Sequence, residues 1–441
     1  MPYETEDIIA AKATPAGKSA IAVVRMTGEG ALNVLRRCLP NFQGEIKARR
    51  AFLADIGEDE EIIDRVIIIY YRAPKSYTGD DLVEIHCHGG DYVSEKVLIL
   101  LHNKGARAAE PGEFTYRAFM NGKMDLTEAE AVSDLVEAES DIARRSALFQ
   151  LRGGLHRRIT EMREILLEMM AELEVELEFP EDEPVEADYW GWGQRVKQAL
   201  KAVDKMISEG EAAQHFRGGF RVVIAGPPNS GKSTLMNALM GEDRAIVHPQ
   251  PGTTRDLLRE SLELGGTKIS LTDTAGLRSD PEEVEEEGIR RARSAVETAD
   301  LTIYLFDLGV GYDGGAEGFS EKRRLIVGNK VDLHNPAGEK CDLKISALRG
   351  EGLEKLKAMI VEAALPQGVE NYAVANQRHI EALRKSREYL RQALTLTETE
   401  GETELLALEL RDAARFLGEV IGEGVTEEVL ERIFNRFCIG K

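Results

Sequence analysis

The sequence has few cysteines, and their positions exclude two kinds of site. Its 441 residues include four cysteines that lie far apart and form no C-x-x-C pair, namely Cys38, Cys87, Cys341 and Cys438. This spacing indicates neither a disulfide framework nor a zinc ribbon, so we expect reduced thiols. No apolar run approaches the roughly eighteen residues of a membrane span, and the N-terminus lacks a cationic patch followed by an apolar segment. These absences predict a cytoplasmic protein.

Positive charge is also scarce. Lys and Arg number 56 against 78 Asp and Glu, and the formal net charge of -22 disfavours broad binding to a polyanion. A nucleic-acid substrate would therefore need a local basic surface. One candidate is the stretch from Arg144 to Arg163, which holds six arginines, although a solvated helix face is the alternative. The stretch from Glu168 to Asp188 holds ten carboxylates and no Lys or Arg, which indicates an exposed acidic helix and loop.

The order of strand-like and helical patterns predicts a multidomain protein. Residues 1–121 alternate β-branched runs such as I-A-V-V-R-M with helical stretches, which indicates an N-terminal α+β domain. Residues 122–216 and 366–441 are helical, whereas residues 217–365 alternate strands and helices as in a doubly wound parallel sheet. Because isolated helices must bury an apolar face, we expect the flanking helices to form one discontinuous α-helical domain, with the α/β region inserted into it.

A phosphate-binding loop follows the first strand of the α/β region. Gly226-Pro-Pro-Asn-Ser-Gly-Lys-Ser233 lies between the strand R-V-V-I-A and the helix T-L-M-N-A-L-M, which is the context that a P-loop requires. Its backbone N–H groups would surround the phosphates. Lys232 would reach the β and γ oxygens, and the Ser233 hydroxyl would hold magnesium.

Further motifs favour GTP over ATP. Asp273-Thr-Ala-Gly276 follows a strand, which suits a carboxylate near magnesium-bound water and an N–H group at the γ-phosphate. Asn329-Lys-Val-Asp332 ends another strand. The Asp332 carboxylate can accept two hydrogen bonds from guanine, from N1–H and the exocyclic amine, whereas adenine offers an acceptor and no amine there. Ser346-Ala347 follows at the distance expected of a loop that covers the base. These motifs predict that the inserted region is a Ras-like α/β P-loop G domain.

The sequence lacks the glutamine that orients the attacking water in many small GTPases. Leu277 occupies that position and has neither a donor nor an acceptor. Asn229, inside the P-loop, suits the binding of a monovalent cation that supplies positive charge near the β and γ phosphates. A simple turn residue is an equal alternative for Asn229. The segment Gly252-Thr-Thr-Arg-Asp256 supplies two threonine hydroxyls, Thr253 and Thr254, at the position of the switch loop of a GTPase.

Two cysteine-containing segments have competing interpretations. In His86-Cys87-His88 the alternate residues of a strand face opposite sides of the sheet, which favours packing over a metal site. The segment Cys438-Ile-Gly-Lys441 has the position of a prenylation box, but Gly440 is not aliphatic and lysine is not a usual final residue. On local grounds, a frayed tail with an incidental thiol is the simpler interpretation.

Together these motifs resemble the MnmE (TrmE) family of tRNA modification GTPases over nearly the whole chain. The resemblance is carried by the nucleotide motifs, P-G-E-F-T-Y-R-A-F-M-N-G-K-M-D-L-T-E-A-E-A-V, N-Q-R-H at Arg378 and the terminal F-C-I-G-K. It implies a homodimer built through the N-terminal domain, whose G domains meet when GTP and potassium are bound. It also implies a complex with the FAD-binding MnmG (GidA) protein. That complex would form the 5-carboxymethylaminomethyl or aminomethyl group of tRNA wobble uridine, using a tetrahydrofolate derivative.

The resemblance also implies roles for individual residues. Glu285 would organise the attacking water through a second water, with Arg278 and Cys438 in the catalytic set, although Glu285 on its own is one of several glutamates expected in solvent. Magnesium ligands are implied at Ser233 and Thr254, and potassium ligands at Asn229, His248, Gln250 and Thr253. His248 and Pro249 depart from the family pattern. The implied GTP contacts are Asn229, Ser230, Gly231, Lys232, Ser233, Thr234, His248, Pro249, Gln250, Pro251, Gly252, Thr253, Thr254, Asp273, Thr274, Ala275, Gly276, Asn329, Lys330, Asp332, Ser346, Ala347 and Leu348.

Folate contacts are implied at Arg25, Glu84, Lys123 and Lys441. Cations suit the polyglutamate tail of a folate, and a carboxylate suits the donor edge of a pterin. The alternatives are a charge on an edge strand for Arg25, a solvent-facing Glu84 and a turn residue at Lys123. If the last helix returns the tail to the N-terminal domain, Cys438 lies near the one-carbon carrier, either as a nucleophile or as a packed thiol.

Two other functions compete with this prediction. A ribosome-assembly or regulatory GTPase would commonly carry a basic RNA-binding module after the G domain, but that region is helical and not notably basic. A dynamin-like protein would need an amphipathic or polybasic membrane element, which the sequence does not show. We therefore expect tRNA as a partner and no membrane.

Overall fold

The computed structural model describes residues 5–178, 188–217, 220–241, 259–273, 296–317, 324–336, 338–364 and 376–441. These residues divide into two compact units. The first unit comprises Met1–Val136, Leu148–Val203 and Glu381–Lys441, and the second comprises Glu137–Ala147 and Asp204–Ile380. Each unit therefore contains segments that are distant in the sequence.

The first unit begins with a six-stranded sheet of strand order β3-β4-β5-β2-β1-β6. Neighbouring strands are antiparallel, except that β6 runs parallel to β1. The strands are β1 (Ile9–Lys12), β2 (Ile21–Thr27), β3 (Phe52–Glu58), β4 (Glu61–Tyr71), β5 (Leu82–His88) and β6 (Arg107–Ala108). This mixed sheet agrees with the α+β domain that the sequence predicts.

Alternation along the central strands divides the sheet into two different faces. Val24 and Met26 of β2 and Ile85 of β5 are fully buried in an apolar core. Helices α1 (Ala31–Arg37) and α2 (Asp91–Asn103) contribute to the same core and cover this face. Because successive strand residues point to opposite sides, the intervening positions of β2 and β5 place polar side chains on the other face.

Helices make up the rest of the first unit. They are α3 (Glu113–Met120), α4 (Leu126–Val136), α6 (Gly154–Glu178), α11 (Thr403–Ile421), α12 (Glu427–Phe434), and the portions within this unit of α5 (Asp141–Leu151), α7 (Tyr189–Arg217) and α10 (Gln377–Glu398). Helix α6 packs along α11, and the Tyr189 hydroxyl donates to the Gly401 carbonyl over 2.9 Å. The helices before and after the α/β region therefore pack together, which confirms the predicted discontinuous helical domain.

The second unit contains a six-stranded sheet of order β12-β11-β10-β7-β9-β8. Its strands are β7 (Phe220–Ala225), β8 (Arg259–Leu264), β9 (Thr267–Asp273), β10 (Leu301–Asp307), β11 (Arg324–Asn329) and β12 (Leu343–Lys344). All pairs are parallel except the β8–β9 hairpin. The hairpin adds one antiparallel strand to the predicted doubly wound parallel sheet. Gly265 and Gly266 form its turn with φ angles of 57° and 79°, which favour a tight two-residue reversal.

Helices α8 (Lys232–Met240) and α9 (Leu353–Ala364) pack against this sheet through buried apolar residues such as Leu235 and Leu356.

Among the helices of the described residues, none is long and apolar enough to cross a membrane. Within the same residues, no group of three His, Cys, Asp or Glu side chains is arranged to hold a metal ion. Cys87 is buried and its thiol donates to the Ala22 carbonyl, which agrees with the packing interpretation of His86-Cys87-His88.

Candidate functional site

The P-loop joins the central strand β7 to helix α8. Gly226 has a φ of 146°, and a Cβ atom there would lie 2.0 Å from the Leu305 carbonyl oxygen, so only glycine fits against β10. Asn229 also has a positive φ, 64°, and Gly231, with a φ of 97°, precedes the first turn of the helix. These left-handed residues curve the loop around the N-terminus of α8, where free N–H groups attract phosphate.

Two polar groups of the loop fit a phosphate ligand. The Lys232 ammonium donates to the carbonyls of Gly226 and Pro227 over 3.0 and 2.9 Å, so it lies across the loop. The Ser230 side chain is buried, and its hydroxyl has no hydrogen-bond partner within the described residues. A buried hydroxyl without a partner is costly, and a bound anion would satisfy it. Ser233 and Thr234 are exposed on the first turn of α8.

Asn329 links three of the predicted nucleotide-binding segments. It ends β11, is 3% exposed, and its amide nitrogen donates to the Ser230 carbonyl over 2.8 Å. Its amide oxygen accepts from the Ala347 N–H over 3.0 Å. A Cβ atom at Gly231 would lie 2.3 Å from the same amide nitrogen, so glycine is required for this close contact. One side chain thus fixes the P-loop relative to the loop predicted to cover the base.

The two residues that frame the predicted guanine site are held by ion pairs and hydrogen bonds. The Lys330 ammonium lies 2.7 Å from the Asp307 carboxylate at the end of β10. A hydrogen bond from Ser346 lowers the pKa of Asp332 against the opposing effect of its burial. Arg349 Nε also lies 3.5 Å from the Asp332 carboxylate. Asp332 is therefore held as an anion, the acceptor-only form that guanine N1–H and its amine require.

Several predicted nucleotide-site residues meet at one edge of the sheet. The parallel strands β7, β9 and β11 each lead at their carboxyl ends into one of the nucleotide motifs. In the register of β7 and β9, Asp273 lies opposite Ile224, just before the P-loop. Ser346 and Ala347 are buried, whereas Leu348 is 81% exposed. The remaining predicted residues of the nucleotide and catalytic sites lie outside the described residues: His248, Pro249, Gln250, Pro251, Gly252, Thr253, Thr254, Thr274, Ala275, Gly276, Leu277, Arg278 and Glu285.

A second polar cluster lies in the first unit, on the sheet face opposite the apolar core. Arg25 of β2 and Glu84 of β5 are register partners, and Arg25 donates two hydrogen bonds to one Glu84 oxygen over 3.1 and 2.7 Å. The pair is only partly exposed, at 21% and 17% of the side chains. Arg25 is therefore not an edge-strand charge, and Glu84 does not simply point to solvent.

The C-terminal tail docks on this cluster. The Gly440 carbonyl accepts from the Arg25 guanidinium over 3.4 Å, Ile439 bridges Pro111, and the Lys441 carbonyl accepts from the Phe114 N–H. The frayed-tail interpretation is wrong, because these long-range hydrogen bonds satisfy the last residues. Gly440 permits the contact, since its φ is 92° and a Cβ atom would lie 2.6 Å from the Lys12 carbonyl.

Helix α12 delivers the tail to this position. Phe434 and Phe437 pack against Tyr116 and Leu126 in a buried cluster. The Cys438 thiol that follows is exposed. Lys123, the fourth predicted folate contact, is also exposed and donates to the Pro74 carbonyl over 3.0 Å. The structure thus brings Arg25, Glu84 and the tail together, whereas the Lys123 ammonium bonds elsewhere, to the Pro74 carbonyl.

Sequence reasoning missed three side chains beside this cluster. The Arg25 guanidinium lies 5.7 Å from the Tyr77 ring and 5.8 Å from the Phe114 ring. His86 Nε2 lies 3.9 Å from a Glu84 oxygen and is buried without a hydrogen-bond partner among the described residues. The two-residue period of β5 places His86 on the same face as Glu84, which was a signal available in the sequence.

The arginine stretch from 144 to 163 interacts with the chain's own groups. Within the second unit, Arg144 and Arg145 both form ion pairs with Asp141 at 2.6 Å. Within the first unit, Arg163 forms an ion pair with Glu423 at 2.6 Å, and Arg158 lies over the Phe149 ring at 5.2 Å. Pairing with the chain's own carboxylates is compatible with the alternative of a solvated helix face.

The parallel sheet, the P-loop and the guanine-recognition motifs define a P-loop GTPase, carried by a chain with an N-terminal α+β domain and a discontinuous helical domain. Family comparison identifies the two additional domains. Residues 8–123 match the model of the GTP-binding protein TrmE N-terminus, and residues 126–438 match the model of the MnmE helical domain. The chain belongs to the MnmE family of tRNA modification GTPases.

Curated relatives match the chain over almost its full length. The tRNA modification GTPase MnmE of Thermus thermophilus is 42% identical over 446 residues, covering 99% of each chain. The protein of the same name from Aquifex aeolicus is 40% identical over 448 residues, covering 98% of this chain and 99% of its own. Among solved structures, the G domain of the T. maritima FeoB iron transporter is 28% identical over 33% of this chain and 98% of its own, with a TM-score of 0.24.

Proposed function

We propose that this tRNA modification GTPase is potassium-dependent and acts with the FAD-binding MnmG protein on tRNA wobble uridine. The product would be the 5-carboxymethylaminomethyl or aminomethyl derivative, with tetrahydrofolate as the one-carbon carrier. The observation that carries this proposal is the docking of the C-terminal tail at Arg25, because it completes a polar site on a domain separate from the nucleotide site. A GTPase that served only as a binding switch would not need this second site.

In the nucleotide site the chain would mainly position and neutralise phosphates. The N–H groups of the P-loop and the Lys232 ammonium would stabilise the charge that moves onto the β and γ oxygens. The Ser233 hydroxyl and Thr254 would hold magnesium, which supplies positive charge at the phosphates. Asn229 and the segment containing His248 would hold potassium, and the water would be oriented by Glu285 because Leu277 cannot do so.

At the cluster formed by Arg25, Glu84 and the C-terminal tail, the Glu84 carboxylate would accept from the donor edge of the pterin, and the Arg25 guanidinium would contact the same end of the folate. Their mutual hydrogen bonds hold both groups in place before a ligand arrives. Lys123 and Lys441 would add further positive charge. Cys438, exposed next to the docked residues, would act in the modification step or pack against the carrier.

The remaining assignments are proposals that follow from the family. We propose that the protein is a cytoplasmic homodimer formed through residues 1–121, with the helical domain at residues 122–216 and 366–441 and the G domain at residues 217–365. The catalytic set would include Arg278 besides Glu285. Closure of the two G domains upon GTP and potassium would complete the hydrolytic sites.

Reconstitution tests the proposal. The purified protein, the MnmG partner, unmodified tRNA, GTP and a tetrahydrofolate donor should yield modified wobble uridine in potassium, with slower GTP turnover in sodium at equal ionic strength. Equal turnover in both salts would reject the cation assignment, and an unmodified tRNA would reject the modification step. A Cys438→Ser variant should keep GTP turnover and lose modification if the thiol takes part in that step. Unchanged modification by this variant would remove Cys438 from the catalytic set.

A further inference from the structure

One side of helix α10 carries a row of positive charge. Arg384, Arg387 and Arg391 lie three and four residues apart, so they project from the same side of the helix. Together with Lys385 they line an open groove of about 510 Å³, in which Glu388 is the only carboxylate among the described lining residues. We refer to these four cations as the basic face. Its excess of positive charge contrasts with the net charge of -22 for the whole chain.

The opposite side of α10 is anchored, which fixes the direction of the basic face. Leu383 and Leu390 are fully buried, and the buried Ser386 hydroxyl donates to the Ala413 carbonyl of α11 over 3.0 Å. Tyr389 stacks on Phe416 of α11 with ring centroids 5.5 Å apart. The cations are therefore presented on a rigid helix rather than on a loop, so a ligand would not have to order the backbone.

Exposure differs among the cations of the basic face in a way that suits an extended ligand. Arg384, Lys385 and Arg391 are exposed, and Arg387 is half-buried. The Lys385 ammonium lies 5.1 Å from the centre of the Phe416 ring, and Arg384 and Arg387 each interact with another group of the chain. From Arg384 to Arg391 the helix rises about 10 Å, at about 1.5 Å per residue. A row of this length can contact more than one phosphate group of a nucleic-acid strand.

We propose that the basic face of α10 binds the phosphate backbone of tRNA; this inference rests on the proposed function. The guanidinium group offers a planar pair of donors that matches phosphate, and three of the four cations are arginine. Contacts of this kind position an RNA without reading its sequence. A chain with so large a negative charge repels RNA at long range, so it needs a local positive surface to hold one.

The alternative basic stretch, from 144 to 163, is less suited to this role because it is divided between two helices. Arg144 and Arg145 lie on α5 in the second unit, whereas Arg163 lies on α6 in the first unit. These arginines therefore do not form one row on a single helix. The charge on α10 was not evident from composition, because the acidic residues of the C-terminal region offset it in the sequence and the helix separates the cations onto one side.

Titration of the full-length protein with tRNA at several salt concentrations tests the inference. The triple variant Arg384→Gln/Arg387→Gln/Arg391→Gln should bind at least about tenfold more weakly at low salt. Each lost phosphate contact also removes about 0.7 to 0.9 from the slope of log affinity against log salt, so the slope should become shallower by about 2 to 3. The variant Arg384→Lys/Arg387→Lys/Arg391→Lys keeps the charge and should retain most of the affinity.

A charge-matched control distinguishes the effect of the basic face on tRNA binding from the effect of the net charge of the chain. Lys47, Arg65 and Lys96 are exposed cations of the N-terminal domain, and their triple replacement by Gln changes the charge of the chain equally. This control should bind tRNA as the unsubstituted protein does. Thermal unfolding and GTP turnover check that the α10 variant is folded.

The possible results are distinguishable. If the α10 variant and the unsubstituted protein bind tRNA with equal affinity and equal salt slope, the inference is overturned while the proposed function stands. Loss of binding to the MnmG partner with unchanged tRNA binding would also overturn it, because the face would then be a protein interface. If the unsubstituted protein neither binds nor modifies tRNA, both the inference and the proposed function fail.

Discussion

Replacing Asn329 by alanine should weaken nucleotide binding far more than the loss of one exposed amide would. The side chain is 3% exposed and makes two hydrogen bonds, to the Ser230 carbonyl at 2.8 Å and from the Ala347 N–H at 3.0 Å. Both partner residues are themselves buried. Each lost bond costs about 1 kcal/mol, and a buried partner left unsatisfied raises this to about 1 to 3 kcal/mol.

The sum for the two bonds is about 2 to 6 kcal/mol, and it should divide between nucleotide affinity and the free energy of unfolding. To the extent that bound GDP holds the loops in place, GDP affinity should fall, at most by about 30-fold to about 10,000-fold, since 1.4 kcal/mol is tenfold. The rest is expressed as a lower free energy of unfolding. Titration with a fluorescent GDP analogue and thermal unfolding of the nucleotide-free protein measure the two parts.

Asn335→Ala is the matched control. This asparagine is exposed, and among the described residues its amide oxygen accepts just one hydrogen bond, from the Lys344 ammonium at 3.1 Å, so its removal should change neither quantity appreciably. If Asn329→Ala binds the analogue within threefold of the unsubstituted protein and unfolds at the same temperature, the role of Asn329 in fixing the P-loop is refuted.

Three further predictions concern other parts of the chain. Asp332→Asn should lower GTP affinity at least about 30-fold, because it loses charged hydrogen bonds worth about 2 to 3 kcal/mol. The same variant should bind XTP more tightly, since the XTP carbonyl can accept from the new amide. In a competition-binding assay, an unchanged preference between GTP and XTP would contradict this. Gly440→Ala should displace the C-terminal tail, because its Cβ would lie 2.6 Å from the Lys12 carbonyl. Modification of tRNA should then fall while GTP turnover persists. Modification equal to that of the unsubstituted protein would contradict the docking of the tail. Burial raises the pKa of the Cys38 thiol from 9.0 to about 11, so the free energy of unfolding should decrease as the pH rises from about 9 to about 11. A Cys38→Ala variant should show a smaller decrease, because burial also raises the pKa values of Cys87 and Cys341; a decrease equal to that of the unsubstituted protein would contradict this.

The nucleotide site was predictable from the sequence to a large extent. The P-loop, Asn329 and Asp332 follow strands, and the carboxyl ends of parallel strands meet at one edge of a sheet. The sequence did not show that the Asn329 amide contacts both Ser230 and Ala347, because side-chain hydrogen bonds between distant segments leave no periodic signal. The β8–β9 hairpin was missed although Gly265-Gly266 is a recognised turn signal.

The cluster of Arg25, Glu84 and the C-terminal tail could not be predicted from local sequence patterns. Nothing near Gly440 indicates that its carbonyl meets Arg25, since that contact depends on the packing of α12 and on the register of β2 and β5. Only the family resemblance suggested it. The basic face of α10 was hidden for a different reason: composition averages a helix over all its sides, whereas a ligand meets one side.

Mass spectrometry of tRNA wobble nucleosides, in cells lacking this gene, tests the central claim most directly. Without the gene the carboxymethylaminomethyl and aminomethyl derivatives of wobble uridine should be absent. They should return with the unsubstituted gene and not with Lys232→Ala, because the Lys232 ammonium spans the P-loop that holds the phosphates. Intact modified uridine in the cells that lack the gene would contradict the account.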